Sequence, residues 1–338
     1  MVTSRRWMVA AALGLACPAM ADPVSAQAPA QQASAKPTWI YAHDLRARKG
    51  GTTDFDKDTP KIGVEFFRDD AAGAVIGVTQ AGNLCVSAAG APGAEKKAPW
   101  LFANDLRARK EDEDKFTTAT TRYGVEVFKD LAAGKLLYLS EKATVAFADL
   151  PGAVGTDKDP VWHHALIVKV RGPKEKEFTK ETKKFGVEVF KDGNTGGLIY
   201  ISETASLATA PAPATAPPAD RVKAPKALYG LTLRSRKASE ADFGEGTRTF
   251  GVEVFRDENT GGLLYVTETG SIATAPPAEV KTGQGVTWRH AMTLKARPGG
   301  VAEFAKAASF GVEVLLDNNS GNLVYIAETG SIAVLPKK

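Results

Sequence analysis

The chain has 338 residues, 24% charged and 43% hydrophobic, which excludes both a disordered polar chain and a polytopic membrane protein. Its 43 basic and 39 acidic residues give a net charge of +4 with the signs interleaved, so no basic stripe marks a nucleic-acid interface. The two cysteines, Cys17 and Cys85, supply neither a disulfide framework nor a Cys-based zinc site, the first lying in a segment that reads as a leader.

At the amino terminus, Arg5 and Arg6 precede an apolar, Ala-rich run from Trp7 to Ala16, and Ala19-Met20-Ala21 fits a signal-peptidase site. Residues 1–21 are expected to be a signal peptide, and the protein to be exported to the periplasm, the cell surface or the medium. The sequence Ser4-Arg5-Arg6-Trp7-Met8-Val9 also resembles a twin-arginine signal, which leaves the export route open. Leu13-Gly14-Leu15-Ala16-Cys17 departs from a lipoprotein site at Gly14, where a large aliphatic residue is expected. The apolar run is about half the roughly 20 residues that span a bilayer, and no later stretch approaches that length, so no transmembrane segment is expected. Residues 22–37, rich in Ala, Gln, Pro and Ser, read as a flexible lead.

From Trp39 onward the chain repeats itself five times at a spacing of roughly 60 residues. A Gly-Val-Glu block begins at Gly63, Gly124, Gly186, Gly251 and Gly311, and an Asp follows each Gly by six places, as Asp69, Asp130, Asp192, Asp257 and Asp317. Upstream stands an Arg in every copy, Arg48, Arg109, Arg171, Arg236 and Arg297, with a Phe seven places after it. A Trp precedes that Arg by nine places as Trp39, Trp100, Trp162 and Trp288, with Ala227 in the fourth copy. The units fall at residues 38–88, 99–149, 160–209, 226–275 and 286–336.

Within a unit the period is two, the signature of strands. In the fifth copy Trp288, His290, Met292, Leu294 and Ala296 share an apolar face, while Thr293, Lys295 and Arg297 lie on the other. A second strand over Phe310–Leu316 is apolar on both faces, the turn Asp317-Asn318-Asn319-Ser320-Gly321-Asn322 follows, and Leu323–Ala327 and Ser331–Val334 complete four antiparallel strands. The segment Val301–Ala308 is left between a loop and a turn of helix. The fold class is therefore all-β, five antiparallel repeats of about 45–50 residues. Two arrangements compete: tandem small modules joined by Ala/Pro-rich linkers, or a single five-bladed β-propeller. Long connections of varying length favour the modules.

Few residues point to chemistry. His164 and His290 occupy a slot filled by Tyr41, Phe102 and Tyr229 elsewhere, so the slot asks for a packed ring; His163 and His164, adjacent on a strand, should point to opposite faces. The repeated Glu of Gly-Val-Glu could act as an acid or base, but its recurrence suits a structural pair with the repeated Arg. A second Glu, at 141, 203, 268 and 328 with Gln80 in the first copy, reads as turn-supporting. The Asp-Asn turns lack the further oxygen ligands of a calcium loop and read as hairpin turns. No phosphate loop, hydrolase elbow or zinc signature is present, so no catalytic residue, metal or cofactor is assigned and the protein is expected not to be an enzyme.

The feature most open to binding is the cationic face of the first strand. Arg48, Arg109, Arg171, Arg236 and Arg297, each two places after another cation, combine with the recurring Tyr138, Tyr200, Tyr265 and Tyr325 as candidate sites for an anionic polysaccharide or other cell-envelope polymer, bound multivalently. The expected function is an exported, non-catalytic structural or adhesive module. The alternatives are a glycan-binding propeller lectin, with one equivalent site per repeat, and a propeller hydrolase.

Overall fold

Each repeat folds as a four-stranded antiparallel meander whose strands follow sequence order across the sheet. The computed structural model describes residues 24–25, 36–90, 97–212 and 222–337; the proposed signal peptide and most of the lead lie outside them. After a two-residue strand β1 (Val24–Ser25), blade I comprises β2 (Thr38–Arg46), β3 (Lys61–Asp69), β4 (Ala74–Thr79) and β5 (Leu84–Ala88). Blade II comprises β6 (Trp100–Ala108), β7 (Thr121–Asp130), β8 (Lys135–Ser140) and β9 (Val145–Asp149). Blade III has β10 (Val161–Val170), β11 (Lys183–Lys191), β12 (Leu198–Ser202) and β13 (Leu207–Ala210). Blade IV has β14 (Lys226–Ser235), β15 (Arg248–Arg256), β16 (Leu263–Thr267) and β17 (Ile272–Ala275). Blade V has β18 (Val286–Ala296), β19 (Ala308–Asp317), β20 (Leu323–Ala327) and β21 (Ile332–Leu335). The segment left unassigned contains one 3₁₀ turn, Phe304–Lys306.

The all-β, five-repeat reading holds, and of its two arrangements the structure is the propeller, not a string of modules. Each fourth strand packs against the fourth strands of both neighbouring blades, β21 meeting β5, so these five strands surround a central axis and the ring closes. The sequence preference for modules is corrected by what lies between the sheets. Every hydrophobic cluster draws on two adjacent blades: Tyr41, Val64 and Phe66 of blade I, for instance, pack with Phe128, Leu137 and Leu139 of blade II. The second strands are buried on both faces, as β11 shows from Phe185 to Phe190, because a blade lies on either side. Two faces covered by neighbours relieve the small-core problem that a 50-residue unit would face alone.

At the end of the axis formed by the turns between third and fourth strands, side chains tie each turn to the next. Asn83 Nδ2 donates to the Ala143 carbonyl (3.1 Å), Thr144 Oγ1 to Ala205 (2.6 Å), Thr204 Oγ1 to Gly270 (3.0 Å), Thr269 Oγ1 to Gly330 (3.3 Å) and Thr329 Oγ1 to Gly82 (3.1 Å). The last of these crosses the seam between blades V and I, which joins the first and last blades without a shared strand.

The first strands carry a feature that strict alternation conceals. Each has a register shift at one place, between Trp39 and Tyr41 and at the equivalent positions of the other four. Such a bulge inserts one residue and exchanges faces beyond it. Trp288 and His290, expected on one face, therefore lie opposite Leu315 and Val314, on opposite faces of the sheet. The outer strand β14 also pairs in parallel with β1, through Val24 to Leu231 and Ser25 to Thr232.

Candidate functional site

The five Arg residues leave the ends of the first strands and turn into the grooves between blades, where each meets the Gly-Val-Glu carboxylate of the following blade. Nε and Nη2 of Arg48 reach Oε1 and Oε2 of Glu126 at 2.7 and 3.0 Å. Arg109 pairs likewise with Glu188 (2.6 and 3.3 Å), Arg171 with Glu253 (2.6 and 3.3 Å), Arg236 with Glu313 (2.7 and 3.2 Å) and Arg297 with Glu65 (2.5 and 3.2 Å). The planar guanidinium matches the carboxylate in a two-point fork. The third nitrogen, Nη1, donates to a carbonyl five residues on, at Thr53, Asp114, Lys176, Ala241 and Ala302.

The Gly of the same block has a matching role. A Cβ on Gly124 would stand 2.0 Å from the Arg48 carbonyl oxygen, and the other four Gly residues lie as close to the preceding Arg, from 1.9 Å at Gly251 to 2.3 Å at Gly186. Gly, Glu and Arg thus form one inter-blade clamp, repeated five times. The Arg–Glu pairing expected from recurrence is present, but it joins neighbouring units rather than strands of one unit.

This placement says where the candidate binding residues lie. Arg48 and Arg171 are buried, Arg109, Arg236 and Arg297 are half-buried, and all five charges are met by carboxylates, so they form no open cationic row. The neighbouring cations on the first strand, Arg46, Arg107, Lys169, Arg234 and Lys295, remain half-buried or exposed. Tyr138, Tyr200, Tyr265 and Tyr325 are at most 2% exposed and belong to the core. Their hydroxyls donate to the Asp of the next blade: Tyr138 to Asp192 (2.7 Å), Tyr200 to Asp257 (2.8 Å), Tyr265 to Asp317 (2.8 Å) and Tyr325 to Asp69 (3.0 Å). The Arg and Tyr faces do not come together at a surface.

The turn role that the sequence suggests for these Asp residues is present: Asp192 Oδ1 accepts the Asn194 amide at 2.9 Å, and Asp130 Oδ1 the Ala132 amide at 3.0 Å. The sequence reading missed the second oxygen, the inter-blade acceptor; the signal was an Asp conserved through all five copies, including those whose turns lack Asn. Blade I departs instructively. Gly77 stands in the Tyr slot, where a Cβ would lie 2.9 Å from the Phe66 ring, and Tyr41 on the first strand donates to Asp130 at 2.8 Å instead.

The histidines belong to the same layer. His164 Nε2 lies 2.9 Å from Asp257 Oδ2, and His290 Nε2 2.9 Å from Asp69 Oδ2. Burial alone would raise the Asp257 carboxyl; the hydrogen bond and charge of His164, with Tyr200 and the Asn259 amide, outweigh it and hold the group down at about 2. His163 and His164, expected on opposite faces, approach through Nδ1 atoms 2.6 Å apart, because His163 is the bulged residue. Among the described residues no group of three or more His, Cys, Asp or Glu is arranged to hold a metal.

At three of the grooves the side chains facing solvent include an aromatic pair. Each Trp turns toward the preceding blade and donates Nε1 to the clamp Glu, Trp39 to Glu65 (2.7 Å), Trp100 to Glu126 (2.6 Å), Trp162 to Glu188 (2.7 Å) and Trp288 to Glu313 (2.6 Å). The Phe seven places after each Arg covers its guanidinium, with distances to the ring centre from 4.3 Å at Phe304 to 4.8 Å at Phe178. In three consecutive grooves Trp and Phe meet edge to face: Trp39 with Phe304 at 5.9 Å, Trp100 with Phe55 at 6.1 Å and Trp162 with Phe116 at 6.3 Å. Trp39, Trp100 and Trp162 keep 41, 46 and 37% of their surface exposed. Trp288 instead is buried, in a cluster joined by Ala278 and Val280 of the preceding connection, and the groove between blades III and IV has Ala227.

Compared with known protein families and with characterised proteins, the chain matches none. Its all-β propeller, in which no helix among the described residues is long and apolar enough to cross a membrane, is consistent with a binding module of the non-catalytic or lectin-like kind.

Proposed function

We propose that the protein is a non-catalytic, lectin-like propeller that binds neutral glycans at the three open grooves between blades V and I, I and II, and II and III. The observation that carries this reading is the recurrence there of an exposed Trp set edge to face against a Phe, above an Arg–Glu pair. A pyranose presents a face of C–H groups that packs on an aromatic ring and a rim of hydroxyls that hydrogen-bond to charged groups, and Trp offers the largest such platform with a polar edge. Three adjacent copies supply avidity to a repeating polymer even where one site is weak. Because each Arg charge is matched by a carboxylate, the attraction does not depend on ligand charge, which favours a glycan over an anionic polymer. The protein acts outside the cytoplasm, after cleavage behind Ala21.

Co-sedimentation with insoluble neutral and acidic polysaccharides at low and high salt tests this. Salt-resistant retention on a neutral glycan is expected, weakened several-fold by Trp100→Ala and lost in the triple Trp39, Trp100 and Trp162 to Ala variant. Retention only on acidic polymers, abolished by salt, would return the function to the exposed cations, and no retention to a purely structural part.

A further inference from the structure

The axis of the propeller ends in a concavity separate from the grooves. Where the fourth strands run out, at the opposite end from the tied turns, the five blades enclose a cup of about 700 Å³. That volume falls within the range of small-molecule pockets, roughly 300–1,000 Å³. Below it the channel narrows to a space of about 70 Å³ between the inner strands, and the ring of turn-to-turn hydrogen bonds lies at the far end. The cup is therefore open on one side.

Its chemistry is uneven. Val86, Phe147 and Val334, at matching places on three inner strands, line an apolar wall, while the equivalent positions in blades III and IV are Thr209 and Thr274. Both hydroxyls donate around the ring, Thr274 to the Thr209 carbonyl at 2.7 Å and Thr209 to that of Phe147, and each oxygen keeps lone pairs toward the cup. At the rim, Lys135 pairs with Asp149, and Lys337 adds a further cation. One side is thus apolar, the other hydroxylated, and the rim holds one positive charge in excess.

The geometry points to a binding site in this cup for a small monoanionic amphiphile, its apolar body against Val86, Phe147 and Val334 and its anionic head beside Lys337. An apolar body displaces water from a concave surface already formed, and the head group stays at the wet rim, so neither part buries an unpaired charge.

The fluorescent probe 1-anilinonaphthalene-8-sulfonate, two aromatic units with one sulfonate, tests this on the full mature chain. One equivalent is expected to bind with enhanced emission and to be displaced by decanoate but poorly by decanol. Lys337→Glu is expected to weaken binding about fivefold, the scale of one exposed charge contact, whereas Lys174→Glu, on the loop that follows β10, leaves it unchanged. Ala148→Trp, which fills the cup, is expected to abolish binding while the thermal melt reports whether the ring is intact. A stoichiometry above one, no enhancement, or equal binding by wild type, Lys337→Glu and a folded Ala148→Trp variant would overturn the site; displacement by decanol as readily as by decanoate would overturn the anionic head.

Discussion

The grooves between blades I and II and between blades III and IV hold the same buried carboxylate with different donors. Glu126 accepts from Arg48 and from Trp100, whereas opposite Glu253 the Trp is replaced by Ala227 and the carboxylate accepts from Arg171. Arg171 is 3% exposed against 8% for Arg48, and Gly230 makes room for it: a Cβ there would lie 2.5 Å from its Nη2. Burial pushes the Glu253 carboxyl up in spite of the guanidinium beside it. The difference separates two roles that sequence alone merges. Arg, Glu and Gly hold the ring together at every groove, while Trp is a supplementary donor whose ring stays partly exposed at Trp39, Trp100 and Trp162 and is buried at Trp288.

The largest effect should come from removing the neighbours altogether. Residues 283–338, expressed alone, contain all four strands of blade V but lose the Arg236 partner of Glu313 and the Tyr265 partner of Asp317. No cooperative melt is expected; a cooperative one would mean that blades are modules after all. Within the intact ring, Arg171→Ala leaves Glu253 buried beside no guanidinium, a loss of about 3–5 kcal/mol. Arg48→Ala should cost roughly 1 kcal/mol less, since Trp100 still donates to Glu126. Equal losses in urea midpoints would show that the Trp bond does not share the load.

The converse substitution, Ala227→Trp, places the missing donor at the III/IV groove. It is expected to stabilise the protein by about 1 kcal/mol, the scale of one typical net hydrogen bond, and to raise glycan avidity by adding a fourth platform next to Phe178. A stabilised variant with unchanged retention would confine the Trp to the clamp; a destabilised one would show that Gly230 and Arg171 have closed the space.

Much of this was legible in the chain. The period of two, the turn residues and the fivefold Gly-Val-Glu block identify the strands and their number, because these are local patterns. Partners are not local: a repeated Arg and a repeated Glu could pair within one unit or between neighbours, and only the clash of a Cβ at Gly124 with Arg48 shows why the Gly recurs. The bulge between Trp288 and His290 leaves no mark on an alternating pattern, so strict alternation puts Trp288 on the wrong face. Connections of ten to fifteen residues suggest linkers; in the ring the innermost strand of one blade is followed in sequence by the outermost strand of the next, three strand spacings or about 14 Å away, so a long connection does not by itself mark a separate module.

The smallest effect concerns the turn between β12 and β13. Glu203 accepts the amide of Glu111 from the preceding blade at 3.2 Å, and its carboxyl is pushed up to about 7, first by burial and then by the Glu111 charge. A carboxyl raised in the folded state favours folding while it is protonated. Its contribution is complete below the ordinary value near 4.5 and fades as pH rises through 7. Glu203→Gln removes that limb, and Gln80 already fills the equivalent place in blade I, accepting the Gly299 amide at 2.6 Å, so the amide fits. Wild type should therefore lose stability relative to the variant between pH 5 and pH 8, by less than about 1 kcal/mol because the group is partly solvated. Parallel urea midpoints across that range would mean that the Glu111 loop moves away when both carboxylates are charged, and that this contact, unlike the Arg–Glu clamp, is not part of what closes the ring.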